Sequence, residues 1–340
     1  MKDILSHYGF DEKDGIGLPF GRGLINRTWL LEAKGQQYIL QKINDRIFRS
    51  PASIALNIRM VAEHLEKYHP GYLFVTPIKT LTGEDLLEKA GAYYRLFPFV
   101  KDSHTIDVVE TPGQAYEAAK QFGWFTRNLS GLDITQLKIT LPDFHDLSLR
   151  YRQFEAALRQ GNKERIQRSK ELIDFIFQHR VIADEFEHYK KVFTIRCTHH
   201  DTKISNVLFD SNDRGICVID LDTLMPGYFI SDLGDMMRTY LSPVSEEEED
   251  FSKIAIRKEF YDAVINGYMS EMKDELSTIE KEHFRYAGKF MIYMQAIRFL
   301  TDHINDDFYY GASYEGHNFV RAGNQVDLLK KLMKFLSIEK

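Results

Sequence analysis

Apolar and polar residues alternate along much of the first hundred positions, the period of half-buried strands. RTWLLEA (27–33) and QQYILQKIN (36–44) read as two strands joined through Lys34-Gly35-Gln36, a hairpin pattern. GYLFVTPIKT (71–80) and GAYYRLFPFV (91–100) predict two more strands. Ser53 to Tyr68 has helical spacing, and MKDILSHYGFDEKDG reads as an ordinary first helix. After Val100 the pattern becomes that of long amphipathic helices, expected over 112–129, 146–157, 162–189, 253–272 and 279–305. A strand-turn-strand block at 192–222 interrupts them. The acidic run SEEEED (245–250) predicts another helix start, with Ser245 as N-cap and the acids at the positive end of the helix dipole.

This order predicts an α+β, bilobal, protein-kinase-like fold: a small β-rich N-terminal lobe over residues 1–100 and a larger, mostly helical C-terminal lobe over 101–340. The 340 residues, 44% of them apolar, suffice for a substantial core in two lobes. The net charge of -6 is spread along the chain with no basic stripe, which argues against a nucleic-acid partner. The apolar stretch around Phe290 to Leu300 is broken by Gln295 and Arg298, so no membrane partner is expected. With no signal-peptide pattern at the N-terminus and only Cys197 and Cys217, read as buried free thiols, a cytoplasmic setting follows.

The chemistry concentrates in THHDTKISNVLFDSNDRGICVIDLDTLMPG. His199-x-Asp201-x4-Asn206, a hairpin, and then Ile219-Asp220 match the catalytic-loop and metal-aspartate pattern of kinases. Phosphoryl transfer needs a carboxylate to take the acceptor's proton, assigned to Asp201. It needs hard oxygen ligands for Mg2+, assigned to Asn206 and Asp220, and a fixed cation for the transferred group, assigned to Lys203. His199 reads as a packed loop residue, and His200 stands where many protein kinases carry a phosphate-reading Arg. Asp222 could assist the metal or position substrate, or cap the following turn. Asp232 could brace the catalytic-loop amides or cap a helix.

THHDTKISNVLFD, VIDLDTLMPG and DLGDMMR, extended by GRGLINRTWLL, YILQKIN, DFHDLSLRY, AIRFLTDH and GHNFVRAGNQ, resemble the N-acetylhexosamine 1-kinase branch of the aminoglycoside phosphotransferase superfamily, from about residue 21 to 325. The resemblance implies ATP-dependent phosphorylation of a small-molecule sugar, N-acetylglucosamine or N-acetylgalactosamine, at its anomeric hydroxyl. Gly21, Gly23 and Asn26 would form the turn over the nucleotide phosphates, and Phe97 and Phe99 the adenine wall where the lobes join. The strand that normally ends in the nucleotide-binding Lys ends here in Gln41, while Lys42 points to the other face. Either Lys203 and magnesium bear most of the phosphate charge, the preferred reading, or nucleotide binding is impaired, and Glu63, the usual partner of that Lys, is expected to be a solvated helix residue. Arg298 and Asp302, four apart on one helix face, could pair. The resemblance makes Arg298 a sugar ligand and Tyr309 its wall, with His317 and Arg321 as weaker candidates; Phe144-His145-Asp146 could be a further contact, though a helix N-terminus capped by Asp146 is the safer reading. A kinase for another alcohol of the aminoglycoside, choline or homoserine type, and a catalytically silent sensor, are the competing readings.

Overall fold

The computed structural model describes residues 2–11, 17–21 and 25–338. The expected α+β class is observed, with a five-stranded antiparallel sheet in the N-terminal region and helices in the rest. A short helix α1 (Lys2–Leu5) leads into the sheet, which comprises β1 (Leu18–Pro19), β2 (Arg27–Ala33), β3 (Gln36–Lys42), β4 (Leu87–Lys89) and β5 (Ala92–Pro98) in the order β1-β2-β3-β5-β4. The β2–β3 hairpin turns at Lys34 and Gly35, both at positive φ, in the position its sequence predicts. Helix α2 (Pro51–Tyr68) follows β3.

The stretch 71–80 departs from the strand expected of it: only Ile78 bridges, to Leu96. Pro77 has no N–H for a ladder, so pairing stops there.

The C-terminal part contains α3 (Pro112–Asn128), α4 (Leu147–Gln160), α5 (Lys163–Arg168), α6 (Lys170–Gln178), α7 (Val181–Tyr189), α8 (Phe229–Tyr240), α9 (Lys258–Met272), α10 (Thr278–Glu282), α11 (Tyr286–Ile304) and α12 (His317–Ile338). The helix expected over 162–189 is thus three, broken at Ser169 and at His179-Arg180, and that over 279–305 is two. Helices α3 and α9 cross closely because Gly267 lacks a side chain; a Cβ there would collide with the carbonyl of Tyr116. Apolar α11 runs through the core, with Phe290, Ile297 and Leu300 fully buried between α8, α4 and α12. The acidic run 245–250 is a loop rather than a helix. Its Glu246 pairs with Arg238 and Arg321, and its Glu247 with Arg321 and the His317 ring.

Against this helical layer sit two small two-stranded sheets, of which β7–β8 is a hairpin. β6 (Arg196–Thr198) pairs with β9 (Met225–Gly227), and β7 (Val207–Phe209) with β8 (Gly215–Val218). Together they present the loops 199–206 and 219–224 side by side. Cys197 and Cys217 are buried free thiols, as expected. No helix among the described residues is long and apolar enough to cross a membrane.

Candidate active site

The 199–206 loop is pinned from below. Both carboxylate oxygens of Asp232, on α8, accept backbone N–H groups, from His199 at 3.1 Å and from His200 at 2.7 Å. Thr202 Oγ1 donates to the Asp232 carbonyl at 2.7 Å, and the Thr202 N–H donates to Asp235 at 3.0 Å. Of the two roles Asp232 could have, the structure therefore displays the brace; Tyr228 is the helix N-cap. His199 is wholly buried, packed edge-on to Phe122 with its ring 2.9 Å from the Ile219 carbonyl, which is the packed loop role. His200 sits at positive φ, and its ring lies 2.8 Å from the Thr198 hydroxyl in space that Gly227 leaves open. Burial and the neighbouring His199 push the His200 ring down to about 4, so it is neutral near pH 7.

This frame holds Asp201 toward the junction of the lobes. Asn206 Nδ2 donates to the Asp201 carbonyl at 2.9 Å and to its carboxylate at 3.1 Å, and Lys203 Nζ lies 3.3 Å from the other carboxylate oxygen. Burial raises the Asp201 carboxyl, but Lys203, His199 and the bond from Asn206 outweigh it and hold the group below the usual carboxylate range. Such a group is ionised at neutral pH and can accept a proton from an attacking hydroxyl.

Asp220 adopts a left-handed conformation (φ 60, ψ 62) just after β8. Its side chain is open to solvent, yet it lies deep between the lobes, and that depth together with Asp222 and Asp201 pushes its carboxyl up to about 7. Among the described residues its carboxylate receives no hydrogen bond, and Asn206 Oδ1 accepts none. Three unspent hard oxygens, two of Asp220 and one of Asn206, beside an excess of carboxylate charge fit a divalent cation of the magnesium type.

Asp222 is engaged elsewhere. Arg95 Nη1, on β5, lies 2.5 Å from one carboxylate oxygen, and Asn26 Nδ2 donates to the other at 2.6 Å. Asn26 Oδ1 in turn accepts the Asn44 N–H at 3.0 Å, so its amide is spent at both ends. Gln41 Oε1 accepts from Arg95 Nε at 3.0 Å. Sequence reasoning missed Arg95, although a lone Arg in the aromatic strand AYYRLFP was a signal for a buried, partnered charge.

Gly21, at φ 76, is exposed on the turn before β2, while Gly23 lies outside the described residues. Phe97 carries the Arg95 guanidinium 5.2 Å from its ring centroid, and Phe99 meets Phe20 edge-on at 6.2 Å.

Of the expected acceptor contacts, Arg298 does not pair with Asp302. Asp302 is consumed by the Tyr309 and Tyr310 N–H groups at 2.7 and 2.9 Å and by Asn318. Arg298 instead lies over the rings of Phe144, Tyr310 and Tyr309, at 5.5, 5.4 and 6.0 Å. Tyr309 is largely exposed. Asp146 caps α4 through the Leu149 N–H, the safer of its readings, and His145 stacks on Phe144 with Nδ1 3.4 Å from that of His200. His317 pairs with Glu247, and Arg321 pairs with Glu246 and packs 3.8 Å from the Phe299 centroid. Both belong to a chain of charges running from Asp235, which accepts the Thr202 N–H, through Arg238 and Glu246. The structure thus gathers Asp201, Lys203, Asn206, Asp220, Asp222, Asn26 and Gln41 at one junction, with Arg298 and Tyr309 in a second group and His317 and Arg321 in a third.

Comparison with known proteins bears on this arrangement. A sequence profile described as the phosphotransferase enzyme family matches residues 17–268. The structure of spectinomycin phosphotransferase in complex with ADP and spectinomycin superposes with a TM-score of 0.62 at 13% identity, covering 98% of this chain and 97% of that one. A microcompartment-associated aminopropanol kinase gives 0.63 at 16% identity over 99% and 96% of the two chains. Choline kinase from Cryptosporidium parvum Iowa II gives 0.60 at 12% identity over 98% and 97%. At these identities the likeness is one of fold, the bilobal kinase-like fold that the element order predicts.

Proposed function

From the premise that this chain belongs to the phosphotransferase enzyme family, we propose that it transfers the terminal phosphoryl group of ATP to the anomeric hydroxyl of an N-acetylhexosamine, giving ADP and the sugar 1-phosphate. The observation that carries the reading is the Asp201 carboxylate, bonded by Asn206 and 3.3 Å from Lys203, beside an Asp220 whose oxygens are unspent. Asp201 takes the hydroxyl proton as the sugar oxygen attacks phosphorus. Lys203 offsets the charge on the transferred group, and the Asp232 brace fixes the loop that carries both. Asn206 and Asp220 would hold magnesium, which supplies charge neutralisation at the phosphates. Phe97 and Phe99 offer an apolar wall for the base, and the protein acts as a soluble cytoplasmic enzyme.

The sugar specificity rests on the sequence resemblance and on the character of the acceptor side. Arg150, Arg298, Tyr309 and Tyr310 line one cavity of about 380 Å³, and neither arginine is ion-paired to a carboxylate among the described residues. Two cations there suit a neutral polyol and oppose a cationic acceptor of the choline or aminoglycoside kind.

The test is ADP release with magnesium and either N-acetylglucosamine or N-acetylgalactosamine, with choline and aminopropanol as controls. The phosphorus NMR signal of the product should couple to the anomeric proton. Release stimulated by no N-acetylhexosamine sinks the substrate assignment.

A further inference from the structure

Arg95 stands directly across from Gln41 in the register of β3 and β5, so the two side chains share one face of the sheet. Only 3% of Arg95 is exposed. A cation this deep is strongly unfavourable unless partners surround it, and here they do. Gln41 accepts from its Nε, Asp222 sits against its Nη1, and the Phe97 ring covers the guanidinium plane. Gln41 Nε2 is itself directed at the Thr28 hydroxyl, 3.4 Å away, which turns its carbonyl oxygen toward Arg95. Nη2 donates to no protein group among the described residues, and it is not sealed from solvent. Gln41 occupies the place where a nucleotide-binding lysine is expected, and the polar set around it is built to hold a guanidinium.

We propose that Arg95 supplies, from the neighbouring strand, the nucleotide-side positive charge that β3 lacks, with Gln41 as its holder and Asp222 as its anchor. The inference rests on the nucleotide reading given above. It revises the expectation that Lys203 and magnesium carry the phosphate charge unaided. It also explains why a glutamine is tolerated at position 41: a second cation directly opposite Arg95 would repel it, whereas an amide oxygen accepts from it. Arg95 and Asn26, both in the N-terminal part, grip one carboxylate two residues beyond Asp220. The same guanidinium therefore ties the sheet to the turn that carries Asp220, and it is near enough to act on the Asp220 carboxyl.

The experiment compares ATP binding by calorimetry, with magnesium, in the wild type, in Arg95→Met, in the Arg95→Met/Asp222→Asn double variant, and in Gln41→Lys/Arg95→Met. Removing both charges of the pair avoids stranding a lone carboxylate. The double variant should bind ATP at least about tenfold more weakly, the worth of one lost charged hydrogen bond, with the KM for the sugar within about twofold. Gln41→Lys should recover at least about threefold of the loss seen in Arg95→Met alone, because it returns a cation to the same face. Gln41→Met, which keeps the ion pair but releases the guanidinium, serves if the double variant does not fold, and should weaken ATP by at least about threefold. A folded double variant, or Gln41→Met, that binds ATP as the wild type does overturns the proposal and leaves the kinase reading standing. Failure of the wild type to bind ATP overturns both.

Discussion

The brace beneath the catalytic loop is open to a quantitative test. Asp232 is fully buried and accepts from two backbone amides, those of His199 and His200. Asp232→Asn keeps one acceptor oxygen, whereas Asp232→Ala keeps none. The alanine variant thus leaves one more buried N–H bare, worth about 1–3 kcal/mol, and should be less stable than the asparagine variant by that amount. The charge gives a second, independent signature. Burial pushes the carboxyl up to about 6, against an ordinary value of 3.8. A raised value means that Asp232 favours the fold most at low pH, and that this contribution is lost as pH rises through the window from 3.8 to about 6. The loss amounts to about 3 kcal/mol by pH 7. Urea unfolding followed through Trp29 and Trp124 at pH 5 and pH 7.5 reads both effects. The wild type should lose stability relative to Asp232→Asn between those conditions. Equal stabilities for the two variants, with pH profiles parallel to the wild type, would refute the brace.

Further expectations concern the metal, the acidic loop and the buried histidines. Because Asp220 titrates at about 7, protons compete with the cation there, and magnesium should bind about tenfold more tightly at pH 8 than at pH 6; a flat profile by magnesium titration counts against Asp220 as ligand. Glu246→Gln removes the carboxylate shared by Arg238 and Arg321, which keep Asp235 and Glu247 as partners, and should cost about 1.5–3 kcal/mol in urea unfolding. A loss below about 1 kcal/mol would show the charge chain to be slack. His200, held neutral at about 4, contributes stability above its ordinary 6.5 that is lost as pH falls toward 4, so His200→Asn should flatten the acid limb of a thermal-melt series.

Much of this was legible before the fold was known, because it is local. The hairpin at Lys34-Gly35 follows from residues that accept positive φ. The catalytic-loop spacing follows from a fixed order of acid, amide and acid along one loop and one hairpin. What escaped the sequence depends on partners far away in the chain. The run 245–250 has every local mark of a capped helix start, but its glutamates are claimed by Arg238, His317 and Arg321. Arg298 and Asp302 have the spacing of a helical ion pair, yet Asp302 is taken by the turn at 309–310. The breaks at Ser169 and at His283 to Arg285 fall where no Gly or Pro announces them. The strand could flag Arg95 as a buried charge but not its partner, because its position opposite Gln41 exists only once β3 and β5 pair. The pairing of Arg95 with Gln41 at the lobe junction is therefore a matter of register between strands, with the two residues 54 apart in the chain, which neither strand shows alone.

The measurement that bears most directly on the whole account is turnover by Asp201→Asn beside the wild type, with magnesium, ATP and N-acetylglucosamine or N-acetylgalactosamine. If Asp201 is the base, the variant should bind ATP within about twofold of the wild type while kcat falls by about 10²–10⁴. Turnover within about tenfold of the wild type, with ATP binding unchanged, would contradict it.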